Sequence, residues 1–156
     1  RLTANWSVDE LCKTIDWQML SFNTEAQNHL RRLCLTALQP IRDLWGAPID
    51  CVSGYRSPQR NARIGGATQS QHMFGRAADI TPADIDWAAL RSGKGSEKDA
   101  AKLREFVAMI EHHLGKELEA IGGIGAYLGW VHVDIRPRGE NGHIYRWQGK
   151  GFGSER

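Results

Sequence analysis

The stretch GGIGAYLGWVHVDIR, residues 122–136, reads as two short strands joined by a tight turn. Residues 122–127 and 130–136 have strand length, and Leu128-Gly129 between them is a two-residue hairpin connection. In the second strand Val131 and Val133 alternate with His132 and Asp134. A period of two therefore puts the valines on one face and the imidazole and carboxylate together on the other. Upstream, residues 48–53 (PIDCVS) and 77–81 (AADIT) read as two more short strands. Residues 143–147 are a strand-like piece in a glycine-rich tail.

Helical periodicity fills much of the remainder. Between residues 24 and 45, Leu30, Leu33, Cys34, Ala37, Leu38, Ile41, Leu44 and Trp45 recur at three- and four-residue steps. Pro40 is expected to kink that helix or to start its last turns, and Gly46 to stop it. Residues 99–118 form a second amphipathic helix with Leu103, Phe106, Val107, Ile110 and Leu114 on its apolar face. Shorter helices are expected at 6–12, where Ser7 and Glu10 make a capping box, and at 82–90. Residues 13–24 read as irregular, residues 57–75 as polar with helical turns at most, and 92–98 as a loop. Helices come first and then mix with short strands. That order implies an α+β fold, a small antiparallel sheet flanked by helices.

A chain of 156 residues is one domain's worth, so residues 1–156 are read as a single domain. At this size roughly 70% of the unfolded surface is buried on folding, enough for a core. Hydrophobic residues at 41% and charged residues at 24% exclude disorder, collagen-like repeats and a coiled coil. A net charge of +2 argues against a nucleic-acid partner. There is no run of apolar residues long enough to cross a membrane, and no signal peptide. The first residue is Arg1 rather than Met, which reads as a fragment, with the loss of an upstream targeting or anchor segment left open. Cys12, Cys34 and Cys51 are too widely spaced for a C-x-x-C pair and read as buried thiols, with one disulfide open to an exported protein.

Chemistry concentrates in four segments: SGYRS at 53–57, SQHMFGRAAD at 70–79, GGIGAY at 122–127 and WVHVD at 130–134. A turn at Gly75 brings the imidazole of His72 toward the carboxylate of Asp79 on its strand. His132 supplies a second imidazole from the middle of another strand. Two histidines and one carboxylate are a three-ligand set for catalytic zinc, with a fourth position left to water. As residue types alone they also fit a structural histidine in a strand and an aspartate that bonds a turn. The segment 149–153 (GKGFG) is no phosphate loop, because it lacks the preceding strand and the following helix.

Taken together and in order, these motifs resemble the M15 peptidases, the zinc D-alanyl-D-alanine carboxypeptidase-like enzymes of peptidoglycan metabolism. SGYRS, then N-x-x-x-G-G-A-x-x-S-x-H-x-x-G-x-A-x-D from Asn61 to Asp79, then GGIGAY and VHVD are similar to its cell-wall and phage-type branch. The resemblance runs from about Trp6 to Trp147. It implies zinc (Zn2+) held by His72, Asp79 and His132 in a groove over the sheet of a hedgehog/DD-peptidase-like fold. It implies that Arg56 faces the metal and stabilises an oxyanion or holds the substrate, and that Ser70 contacts substrate or supports the site. It implies a peptidoglycan stem peptide as substrate, and a location in the bacterial envelope or in a phage that acts on the host wall.

One departure concerns the general base. Many relatives have Glu or Asp three residues before the last zinc histidine, where this chain has Gly129. Others have His two residues before it, where this chain has Trp130. Asp134, on the face of His132, is the replacement candidate, with orientation of that ligand as its other role. Tyr127 and Glu119 are weaker candidates for the base, and Tyr127 is also a candidate for substrate contact. His29, His112 and His113 read as helix-surface residues, and His143 as a residue of the glycine-rich tail with the cleft edge as its alternative place. The expectation is a monomeric zinc metallopeptidase, a carboxypeptidase or an endopeptidase. The rival reading is a non-catalytic zinc-containing module that binds the cell wall.

Overall fold

One sheet carries the strands β1 (Ile49–Ser53), β2 (Ala77–Pro82), β3 (Gly123–Ala126), β4 (Val131–Asp134) and β5 (Tyr145–Gln148), in the spatial order β1-β2-β4-β3-β5. The computed structural model describes residues 1–149, so most of the GKGFG segment lies outside the described residues. The first four strands pair antiparallel, as expected. The fifth adds to the edge in parallel with β3, because the chain crosses back from the end of β4 before entering it. The β3–β4 hairpin closes on Leu128-Gly129, with the Tyr127 N–H donating to the Trp130 carbonyl at 3.0 Å.

The helices are α1 (Val8–Leu11), α2 (Trp17–Ser21), α3 (Thr24–Leu33), α4 (Gln39–Trp45), α5 (Pro58–Arg63), α6 (Trp87–Arg91) and α7 (Glu97–His113). Between α3 and α4 the chain keeps its helical course through a π-helical turn, Cys34–Leu38, in which the Gln39 N–H reaches the Cys34 carbonyl. Pro40 stands in the first turn of α4, at the start of the last turns, and in place of a kink the helix widens one turn earlier. A proline ring clashes with the carbonyl four residues back, and a π turn makes room for it. Residues 13–24 and 57–75 are more helical than their patterns suggest. They hold a 3-10 turn (Thr14–Asp16), α2, α5 and a second 3-10 turn (Gln71–Phe74).

Leu30, Leu33, Leu38 and Ile41 from the N-terminal helices, Phe106 and Ile110 from α7, and Ile80, Val131 and Val133 from the sheet are buried in one core. The Trp45 and Phe106 rings meet edge-on at 5.0 Å and tie the two long helical segments together. The three cysteines are free thiols. Burial pushes the Cys12 thiol up to about 11 and the Cys34 thiol up to about 12, so both behave as small core residues. Among the described residues no helix is long and apolar enough to cross a membrane.

Candidate functional site

Register decides which side chains meet. Asp79 on β2 is the cross-strand partner of His132 on β4, which is in turn the partner of Gly125 on β3. Directly opposed residues share a sheet face, so the carboxylate and the imidazole stand side by side. His72 comes from the 3-10 turn before β2, where the Ser70 hydroxyl accepts the His72 backbone N–H at 3.3 Å. Gly75 then reverses the chain with a φ of +71°. A side chain there would be strained and would also strike the Ala26 carbonyl at 2.4 Å, so the turn that aims His72 at β2 requires glycine.

The three groups form one cluster whose ligand atoms lie within 4.8 Å of one another. The His72 Nδ1–H donates to the Gly54 carbonyl at 2.7 Å, which leaves Nε2 facing Asp79 Oδ1 at 3.3 Å. The His132 Nε2–H donates to Asp134 Oδ2 at 2.7 Å, which turns Nδ1 toward the same Asp79 oxygen at 3.1 Å. Each imidazole is thus oriented by its far nitrogen and presents its near one to a common point, the usual support of histidine ligands. Burial lowers the pKa of His72. Burial also disfavours the charged form of His132, but the carboxylates of Asp134 and Asp79 outweigh it and raise that pKa. Asp79 would be raised by burial, yet the two imidazoles hold it well below the usual carboxylate range.

Arg56 stands beside this cluster, its guanidinium 3.6 Å from Asp79 Oδ2. It donates through Nε to Ser53 Oγ at 3.1 Å and through Nη1 to Asn61 Oδ1 at 3.2 Å. Asn61 in turn donates to the Ala67 carbonyl at 2.9 Å, so the Asn61–Ala67 motif is a loop staple that also holds the arginine. The loop is tied down from below as well. Asp16, fully buried, accepts from the Ser57 N–H and pairs with Arg60, one and four residues beyond Arg56.

A cavity of about 480 Å³ opens over the cluster. Arg56, Ser70, His72, Asp79, Tyr127 and His132 line it, so six of the seven residues singled out from the sequence come together. Asp134 does not line it. Its carboxylate is fully buried, held down to about 2 against the cost of burial by the His132 hydrogen bond and by Arg136, which donates through Nε at 2.8 Å and Nη2 at 2.6 Å. Asp79 is the single carboxylate in the cavity lining among the described residues.

Trp147 and Arg136 also line the cavity, and neither stands out in the sequence as a site residue. Trp147 lies opposite Gly125 on β5, and its ring sits 4.9 Å from that of His132. A Cβ on Gly125 would come within 2.5 Å of the indole, so the glycine is the slot that lets the tryptophan reach the metal-binding face. The Trp147 Nε1–H donates to the Tyr127 hydroxyl at 3.0 Å, and Tyr127 stacks on Trp130. The signal for Trp147 is its strand alternation with Tyr145, and for Arg136 its two-residue step from Asp134. His113 bonds Glu117, His29 donates to the Phe74 carbonyl, and His143 packs on Tyr145, all outside the lining of this cavity.

A family model described as Peptidase M15 matches residues 4–134. The chain belongs to the peptidase M15 family. Over 54 residues it is also 41% identical to the zinc D-Ala-D-Ala carboxypeptidase of Streptomyces albus G. That match takes in 34% of this M15 chain and 21% of the relative, so the chain spans about a fifth of that protein's length. M15 peptidases depend on zinc, and the donors here fit it: two imidazoles with bare nitrogens and one carboxylate, a set that leaves a coordination position open.

Proposed function

We propose that this M15 chain is a zinc-dependent peptidase that hydrolyses amide bonds in peptidoglycan stem peptides, as a carboxypeptidase or an endopeptidase. The observation that carries the reading is the convergence of His72, Asp79 and His132 beneath an open cavity with a fixed guanidinium at its edge. Zinc held by those three residues supplies Lewis-acid polarisation of the scissile carbonyl and acidification of a water molecule.

The protein's own groups do the rest. Arg56, restrained by Ser53 and Asn61, is a pre-set cation for the carbonyl oxygen as negative charge develops on it. The Tyr127 hydroxyl accepts from Trp147 and keeps its own proton for a substrate acceptor. Ser70 fixes the turn that presents His72, and its place in the cavity lining supports a role for its hydroxyl in substrate contact. We assign Asp134 to orientation of His132 rather than to proton abstraction, because its carboxylate is spent on His132 and Arg136.

Incubation of the zinc-loaded protein with purified peptidoglycan fragments, read by mass spectrometry, tests the proposal. A stem peptide shortened by a terminal residue marks a carboxypeptidase, and an opened cross-link marks an endopeptidase. One observation favours the rival, a zinc-containing module that binds the wall without cutting it: among the described residues the cavity offers no carboxylate besides Asp79. Retention on intact peptidoglycan with no product from any fragment would establish that module instead.

A further inference from the structure

A second cavity, of about 360 Å³, opens beside the first and is lined by His29, Arg32, Arg76, Glu119, Arg136 and Arg138. Four arginines line it, and Glu119 is the one acidic residue among the described lining. Two of the four are already engaged. Arg136 is bound to Asp134, and Arg138 donates to the Ile121 carbonyl at 2.9 Å and the Leu114 carbonyl at 2.6 Å. The carbonyls satisfy the hydrogen-bonding needs of Arg138 without cancelling its charge.

Arg32 and Arg76 have no ion-pair partner among the described residues. Arg76 rests its guanidinium over the Phe74 ring at 4.9 Å, and its Nε is buried without a hydrogen-bond partner. An unpaired buried donor of that kind is costly, and a bound acceptor removes the cost. The His29 Nδ1–H is spent on the Phe74 carbonyl, and Nε2 faces the exposed Glu25 at 3.9 Å. With Asp134 set against Arg136 and Glu119 against one more arginine, the cavity keeps two uncompensated positive charges.

We propose that this cavity is a binding site for a phosphate group, carried as a monoester or a phosphodiester. A phosphate oxygen set accepts from several guanidinium forks at once, and a doubly charged group matches the charge left over. The cavity is larger than one phosphate, so there is room for the sugar or polyol that bears it. Arg136 lines both cavities, so the ligand lies against the same side chain that clamps Asp134. The site does not depend on the peptidase reading.

The test uses the full chain stripped of metal, so that phosphate has no metal to bind. Inorganic phosphate and a glycerol-phosphate oligomer are titrated separately by calorimetry at low salt. The expected result is saturable one-site binding. It weakens about tenfold in Arg76→Gln, several-fold in Arg32→Gln, and vanishes in the double variant. A thermal melt shows that each variant is folded. Arg32 is exposed, so its variant carries the test if Arg76→Gln does not fold. Tighter binding of the oligomer identifies a polymer as the source, and equal binding identifies free phosphate. No saturable binding by the unmodified chain would overturn the proposal, as would full binding in the double variant or loss of binding in Arg56→Gln instead.

Discussion

The two faces of the β2–β4 strand pair are built from the same residues in alternation, yet they are made to opposite rules. One face carries Ala78, Ile80, Val131 and Val133, all buried against the helices. The other carries Ala77, Asp79, His132 and Asp134, equally buried but polar at three of four positions. The aliphatic face is tolerant, because apolar contacts are non-directional and add up by area. The polar face is not. Each buried charge needs a partner at hydrogen-bond distance, and Asp79, His132, Asp134 and Arg136 supply one another in a chain. Stability and chemistry are therefore separable across one layer of backbone.

The largest expected effect breaks the polar face alone. His132→Ala, or His72→Ala, should abolish zinc binding and hydrolysis together, since either removes one of three donors. Metal content by mass spectrometry of the native protein checks it, and a variant that keeps its zinc would contradict the ligand assignment. Breaking the aliphatic face should do the reverse. Ile80→Ala, fully buried, should cost about 2–5 kcal/mol in denaturant unfolding. The folded fraction should still bind zinc with unchanged affinity, and a parallel loss of affinity would show that the faces are not separable.

This difference also explains what was legible in the chain. The alternation of residues 131–134 is strict, so the strand, its two faces and the His132–Asp134 contact could all be read from it. The meeting of His72 with Asp79 follows from Gly75 within one motif. Other features depend on partners far away in sequence. The β5 direction is set by a crossover that leaves no local trace, and with it the approach of Trp147 to His132. In residues 13–24 the apolar side chains Ile15, Trp17, Met19 and Phe22 are exposed, so no helical face marks α2. The helix α7 stops at His113, before the apolar residues that suggested a longer run, because Gly115 lies just beyond it. Of Gly54, Gly65, Gly66, Gly75, Gly122, Gly123 and Gly125, which lie within the motifs, only Gly65 and Gly75 have positive φ. Gly125 instead marks a close approach, which a linear pattern does not distinguish from a turn.

An intermediate effect sharpens the comparison at the junction between ligand and support. Asp134→Asn keeps the shape but removes the charge behind His132, and zinc affinity should fall about 10–100-fold. Chelator competition measures it, and an unchanged affinity would mean that Asp134 does not orient the ligand. Acid should act on the same face. A proton on His132 Nδ1 excludes a metal ion, and the flanking carboxylates raise the pKa of this imidazole. Above that pKa the nitrogen is free for zinc, and below it the proton holds the site. The affinity for zinc should therefore begin to fall, as pH is lowered, from above the ordinary histidine range of about 6.5. A dissociation constant that stays flat through that window would refute the sign.

The smallest effect belongs to β5, where the same alternation places neighbouring residues on opposite faces. Trp147 leans over Gly125 toward His132, while Arg146 reaches Glu111 on α7 with two hydrogen bonds of 3.1 Å. The second contact is half exposed, so water and salt screen it and its geometry fixes two long side chains. Arg146→Ala should thus cost less than about 1 kcal/mol, and less still in high salt. It should leave zinc affinity untouched. If zinc affinity fell with Arg146→Ala, β5 would be held in place mainly from the helical side, and Trp147 would follow Arg146. If only Trp147→Ala lowers it, the metal-binding face holds its own edge.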